Sequence, residues 1–212
     1  MHKKIMLACM AIAAFAAFVV APMASAAVLT ENGVAVEVGK SIKGTAGQTR
    51  FVAGENTVTC SSATMSGTVT ANSGGTVAGT IPAGNPVFTG TASEGDCTGG
   101  LLGAVKPSVN SELCLHIPKG TDTGSVTGCE GKAVTFTLFA TNIFLVGPTK
   151  CLYEKASIAA EITTAPANAA IKVVKGEKAK GESTNPSVCP AEGELEMEFE
   201  LTTTDGTVLT FS

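Results

Sequence analysis

From residue 194 the chain alternates without a break: Glu194, Glu196, Glu198 and Glu200 are interleaved with Leu195, Met197, Phe199 and Leu201. Successive side chains of a strand point to opposite faces, so this period of two predicts a strand with acids on one side and apolar groups on the other. The same alternation recurs along most of the chain, in short runs rich in Val, Thr and Ile and separated by turn dipeptides. Residues 28–39 read as strand, turn at Asn32-Gly33, strand, the strongest short hairpin signal. A second hairpin is expected from residues 57–72 and 76–84 across Ser73-Gly74-Gly75. Further strands are expected at 86–93, 112–118, 132–146, 151–164, 169–176, 194–204 and 207–212. Only residues 157–162 resemble a helix, and their shortness and the following Thr163-Thr164 favour strand.

The stretch 132–146 is longer than an ordinary strand, so a bend or bulge is expected near Thr141-Asn142. Phe136, Leu138, Phe139, Phe144 and Leu145 put apolar groups on both of its faces, as a central core strand does. The functional alternative makes Phe139, Phe144 and Leu145 an interaction surface for a partner. These patterns predict an all-β fold, an antiparallel β-sandwich of Ig-like or jelly-roll-like kind, following an N-terminal signal helix.

The N-terminus gives that helix its meaning. A basic tip, His2-Lys3-Lys4, leads into an apolar run from Ile5 to Val20 and then Ala24-Ser25-Ala26, the pattern of a secretory signal peptide over residues 1–26. The apolar run is short for a membrane span and lacks a stop-transfer cluster, and Cys9 comes too early in it to be a lipoprotein cysteine. The secreted product is then residues 27–212, one domain, destined for the extracellular space, the periplasm or the cell envelope. Export also explains the cysteines. With Cys9 removed, Cys60, Cys97, Cys114, Cys129, Cys151 and Cys189 remain, and an even set in an exported chain implies disulfides. Fifteen pairings exist in principle. The sequential intervals of 37, 15 and 38 residues suggest Cys60–Cys97, Cys114–Cys129 and Cys151–Cys189 as staples between the sandwich sheets. The two long, nearly equal loops also raise the reading of an internal duplication, although residue identity between them is slight. Zinc is disfavoured because no two cysteines have the close spacing of a zinc knuckle.

Composition narrows the function further. The formal net charge is −4, and cleavage removes Lys3 and Lys4, making the product more acidic. With Arg50 as the one arginine there is no clustered basic footprint for nucleic acid, nor a basic amphipathic helix for an anionic membrane. An outer-membrane barrel is opposed by the short strands and the disulfides. The row Glu194, Glu196, Glu198, Glu200 invites a catalytic reading, since paired carboxylates hydrolyse glycosides, but those flank a cleft and one stays protonated in an apolar pocket. A flush row on a strand reads instead as a solvated charged face. Lys155, Lys172, Lys175, Lys178 and Lys180 are its expected neutralising neighbours. Calcium needs a cage of six to eight oxygens, and only Asp96, Asp122 and Asp205 accompany the glutamates as aspartates.

His116, between Leu115 and Ile117, reads as an exposed strand residue; no G-x-S-x-G elbow accompanies it. The glycine-rich stretches 95–103 and 128–133 lack the spacing of a phosphate-binding loop. No catalytic residue, metal site or cofactor is expected. Few aromatic residues, with Tyr153 the one tyrosine and no tryptophan, weaken a sugar-binding platform.

The order of parts carries a family resemblance. A Val-Thr-Cys strand at 58–60, a Cys-Thr turn at 97–98, a Cys-Leu-Tyr strand at 151–153 and Cys189-Pro190 before the alternating terminal strand resemble a group of uncharacterised secreted bacterial proteins. More loosely, the chain is similar to the alkane-oxidation activator family, small exported β-rich proteins of the cell surface and matrix. The resemblance implies no catalytic residues. The expected function is a secreted, non-catalytic structural or interaction protein of the cell surface or extracellular matrix, with an unidentified protein or envelope partner. The alternative is an extracellular binding module for a small apolar or carbohydrate ligand.

Overall fold

Positive backbone angles at Asn32 (φ 51°) and Gly33 (φ 79°) join strand β1 (Leu29–Glu31) to β2 (Val34–Ala35), the tight hairpin that Asn-Gly specifies. Gly74 (φ 62°) and Gly75 (φ 82°) do the same between β6 (Ser62–Ser73) and β7 (Thr76–Ile81). The computed structural model describes residues 28–143, 147–164 and 167–212; the expected signal peptide, Phe144 and Leu145 lie outside the described residues. Within them there are twenty strands, three short 3-10 turns and no α-helix.

The strands close into two rings rather than the expected open sandwich. The first ring runs β4 (Thr49–Ala53), β5 (Asn56–Cys60), β9 (Cys97–Thr98), β10 (Ala104–Val109), β13 (Val134–Ile143), β14 (Gly147–Lys155), β17 (Lys178–Gly181) and β18 (Glu192–Glu196), and β18 pairs back onto β4. The second runs β3 (Ser41–Ala46), β6, β7, β11 (Leu113–Ile117), β12 (Thr123–Gly128), β15 (Ser157–Thr163), β16 (Ala170–Val173) and β19 (Glu198–Thr203). It closes because β3 pairs with both β6 and β19. Besides β1, β2 and one later strand that form a small separate sheet, β8 (Val87–Thr89) lies outside both rings and hangs on β6.

The strands around the two rings follow the same sequential order, and the chain alternates a hairpin in one with a hairpin in the other. Several crossings are almost continuous: Ser61 alone separates β5 from β6, Ala156 separates β14 from β15, and Met197 separates β18 from β19. The molecule is therefore an up-and-down antiparallel barrel whose strands break at a waist. Alternation could not distinguish this from a sandwich, because both bury one face of every strand. Closure pairs the edge groups that an open sheet leaves exposed.

The expected long strands break accordingly. Residues 151–164 are divided between β14 and β15, and 194–204 between β18 and β19. Residues 157–162 are strand, and the register shift between Ala140 and Ile143 is the expected irregularity near Thr141-Asn142. Strands β3, β4, β10, β12 and β17 lacked a clear sequence signal: Pro107 interrupts β10, and glycines begin to empty β12 of side chains.

All three expected disulfides are formed, with sulfur separations of 2.02, 2.09 and 2.01 Å. They do not join two sandwich layers; they brace neighbouring parts of the rings. The β5–β9 ladder has a single register pair, Thr59 with Thr98, and Cys60–Cys97 lies beside it. Strands β14 and β17 share two pairs, and Cys151 on β14 holds Cys189 in the loop after β17. Cys114–Cys129 ties β11 to the turn after β12.

The interior is continuous from ring to ring. One buried cluster contains Phe51, Val58, Leu138 and Tyr153 of the first ring and Met65, Leu115, Ile162, Phe199 and Leu201 of the second. At eight strands a barrel is just wide enough for side chains to fill it. The far end of the second ring is capped by the small sheet β2–β1–β20, where β20 is Leu209–Phe211. Leu29, Leu209 and Phe211 are buried there, and Asn72 at the end of β6 binds the backbone of the cap.

Candidate functional site

The glutamate row lies on the outer wall, but the waist divides it. Glu194 and Glu196 belong to β18, Glu198 and Glu200 to β19, with Met197 buried between them. Leu195 is half-buried, while Phe199 and Leu201 are fully buried. Three of the four acids have local compensation, while Glu200 stands in register with Ala170 and Thr45. The Arg50 guanidinium lies 3.3 Å from Glu196, Glu194 accepts a hydrogen bond of 2.5 Å from the Gly176 N–H, and Glu198 stands in register with Lys172. Glu194 also stands opposite Lys178, whose ammonium lies 3.1 Å from Glu192. Cross-strand pairs of this exposed kind contribute about 0.2–1 kcal/mol each. Of the expected lysines, Lys172 and Lys178 therefore lie beside the row, while Lys180 stands opposite Glu192 and Glu154. Arg50 was missed because the short run Thr-Arg-Phe-Val-Ala that carries it on β4 gave no clear strand signal. Lys155 serves a different acid: its ammonium is 2.8 Å from Glu177. The arrangement is a solvated, partly ion-paired wall, with open pockets against Glu196 and Glu198 beside Arg50 and Lys172 and against Glu198 and Glu200 beside Thr45 and Gln48.

Phe139, on β13, is 38 % exposed and stands in register with Lys106 on one neighbour and Lys150 on the other. Its apolar ring between two cationic positions is the described part of the candidate interaction surface. His116 is exposed on the outer face of β11, with Leu115 and Ile117 buried on either side. Among the described residues no group of three or more His, Cys, Asp or Glu side chains comes together as a metal site. Cys60, Cys97, Cys114, Cys129, Cys151 and Cys189 are all consumed in disulfides.

Inside the first ring, Phe51, Phe136 and Tyr153 form a continuous aromatic run, with ring centroids 6.1 Å apart for the first pair and 5.3 Å for the second. The Tyr153 hydroxyl is buried without a hydrogen-bond partner, as is the hydroxyl of Thr49. Burial pushes the Tyr153 phenol up to about 12, so it stays neutral at physiological pH.

At the waist the two rings leave a cavity of about 70 Å³. It is lined by the inward residues that flank the strand breaks: Val109 and Leu113, Val126 and Val134, Ile158, Val173, and Leu195, Met197 and Phe199. Met65, Ile81, Leu115, Ala160 and Ile171 add to the wall on the second ring, and Phe51 and Phe136 on the first. Every lining side chain is hydrocarbon or thioether. Short-range pattern carries no signal for this cavity, because its walls come from strands far apart in the chain that only barrel closure unites.

The polarity of the wall also decides how the barrel sits relative to a membrane. A membrane-spanning barrel carries an apolar belt outside and polar groups within. Here Glu, Lys and Thr alternate outward and Leu, Phe and Ile inward, the opposite arrangement. Among the described residues no helix is long and apolar enough to cross a membrane. Comparison with protein-family models, with curated proteins and with solved structures finds no match.

Proposed function

We propose that the protein is an exported, non-catalytic structural or interaction protein of the cell surface or extracellular matrix. The observation that carries this reading is a closed barrel with a nearly filled interior, braced by three disulfides, so that what the molecule offers a partner is its outer wall. Disulfides persist in oxidising compartments outside the cytoplasm. Edge closure and internal staples suit a protein that must survive there without chaperones. The surface resemblance to exported matrix proteins supports the same assignment. Phe139, flanked by Lys106 and Lys150, is the described apolar point on that wall where a partner docks.

Fractionation of a producing culture tests this reading. The wild-type protein is expected in the envelope or matrix fraction, and Phe139→Asp is expected to move it into the supernatant without lowering its stability. Release of both proteins as free monomers would count against a surface role.

A second reading, an extracellular module for a small apolar ligand, is favoured by one observation, the wholly apolar cavity at the waist. A carbohydrate ligand has no such support, because hydroxyl groups buried there would find no hydrogen-bond partner.

A further inference from the structure

We infer that the waist cavity is a binding site for a small apolar guest, admitted past the flap that carries Phe88; the inference rests on the second reading above. The walls of the cavity are fixed by ladder pairing almost everywhere. The weakest part is the segment around β8, which brings Pro86 and Phe88 to the cavity, stands outside the two rings and pairs only with β6. That strand is held to β6 by three register pairs, Ser62 with Thr89, Ala63 with Phe88 and Thr64 with Val87. Phe88 is half-buried, lies edge-on to Phe51 with ring centroids 5.2 Å apart, and reaches both the cavity and solvent. Val87 beside it is 53 % exposed. Swinging Phe88 outward parts only the short β6–β8 ladder and leaves both rings closed.

The size and lining of the space define the guest. An apolar void of about 150 Å³ stays dry and takes benzene. At about 70 Å³ this one admits roughly half as much, a hydrocarbon group of about three or four carbons or a xenon atom. No lining group offers a hydrogen bond, so the cavity selects against water and polar molecules. The shared chemistry is a compact hydrocarbon group, either a free small molecule or the methyl end of a longer chain.

The chain carries its own reporters. Of six methionines, Met1, Met6, Met10 and Met23 belong to the signal peptide segment, and the other two, Met65 and Met197, both line the cavity. The exported protein, labelled with carbon-13 at the methionine methyls, is titrated with xenon and separately with 1-octanol. Saturable shifts of both methyl signals are expected with xenon. If octanol moves them too, the site takes chain ends; if xenon alone does, it takes free small molecules.

Ala160→Leu, which places three more carbons into the space, is expected to abolish the shifts, and Val173→Leu to weaken them if the first variant fails to fold. Phe88→Ala is expected to quicken guest exchange. Shifts that persist unchanged in a folded, cavity-filled variant overturn the site. Guest-induced shifts confined to backbone amides far from the waist overturn this site but leave a ligand-binding module standing. No shift anywhere with either probe overturns both.

Discussion

Asn72 is the most informative single residue of the fold, because its amide makes three of the hydrogen bonds that tie the end cap to the barrel wall, beside the Ala169 N–H on the Leu209 carbonyl and the Thr202–Val208 bridge. Its side-chain carbonyl accepts from the Leu29 N–H at 2.8 Å, and its NH₂ donates to the carbonyls of Leu29 at 2.7 Å and Val36 at 2.8 Å. The residue is 7 % exposed, so water cannot substitute. In Asn72→Ala, the Leu29 carbonyl keeps the Val36 N–H at 2.9 Å, but the Leu29 N–H and the Val36 carbonyl lose these partners. A buried group left unpaired costs about 1–3 kcal/mol, so two such groups put the loss at about 2–6 kcal/mol.

Guanidinium unfolding should register this loss, and amide exchange should show Leu29 and Val36 deprotected first, since only the cap depends on them. Asn72→Asp adds a check on sign. A carboxylate facing the Val36 carbonyl is disfavoured, so its folded pKa rises above its unfolded value. Stability must therefore fall as pH rises through that interval and recover on acidification, when the acid can again donate. A loss below about 1 kcal/mol in Asn72→Ala, with Leu29 still protected, would refute the assignment of the cap to this amide.

Other expectations follow from the same accounting of buried and paired groups. Tyr153→Phe removes a hydroxyl without a partner and is expected to leave thermal stability unchanged or higher. Because the folded phenol is raised to about 12, wild-type stability should fall as pH climbs above the ordinary tyrosine value, and the variant should lose that alkaline dependence. Phenolate absorbance is unambiguous, since Tyr153 is the one tyrosine of the chain.

At Glu177, burial alone would raise the carboxyl, but the Lys155 ammonium and the Ala159 N–H outweigh it and hold it below the usual range. Its stabilisation is therefore present above the unfolded glutamate pKa and lost as pH falls through the folded one. Glu177→Gln should cost about 1 kcal/mol or less at neutral pH and nothing in acid, by denaturant midpoints at the two pH values. Replacing Cys60 and Cys97 together by serine should cost about 4 kcal/mol from the 37-residue loop. Proteolysis should then nick the first ring beside its single β5–β9 rung, and cleavage elsewhere would contradict the bracing role.

The sequence by itself determined the local physics: which residues pair into hairpins at Asn32-Gly33 and Gly74-Gly75 and which side of each strand is wet, and its cysteine intervals suggested the pairing that is formed. Those properties depend on neighbours a few residues away, on turn chemistry and on loop intervals, so a one-dimensional pattern carries them. It also placed Lys172 and Lys178 near the glutamate row, because opposite charge on adjacent strands is a recurrent solution to a line of like charges.

Only the tertiary structure decided that the layers close into a barrel broken at a waist. Closure depends on β18 meeting β4 and β19 meeting β3, pairs separated by most of the chain, and an alternating strand packs equally well in either architecture. The cavity, the flap over it and the solitary hydroxyl of Tyr153 are consequences of that closure. They arise where side chains from remote strands fail to fill a shared volume or to find a partner, which no single stretch of sequence encodes.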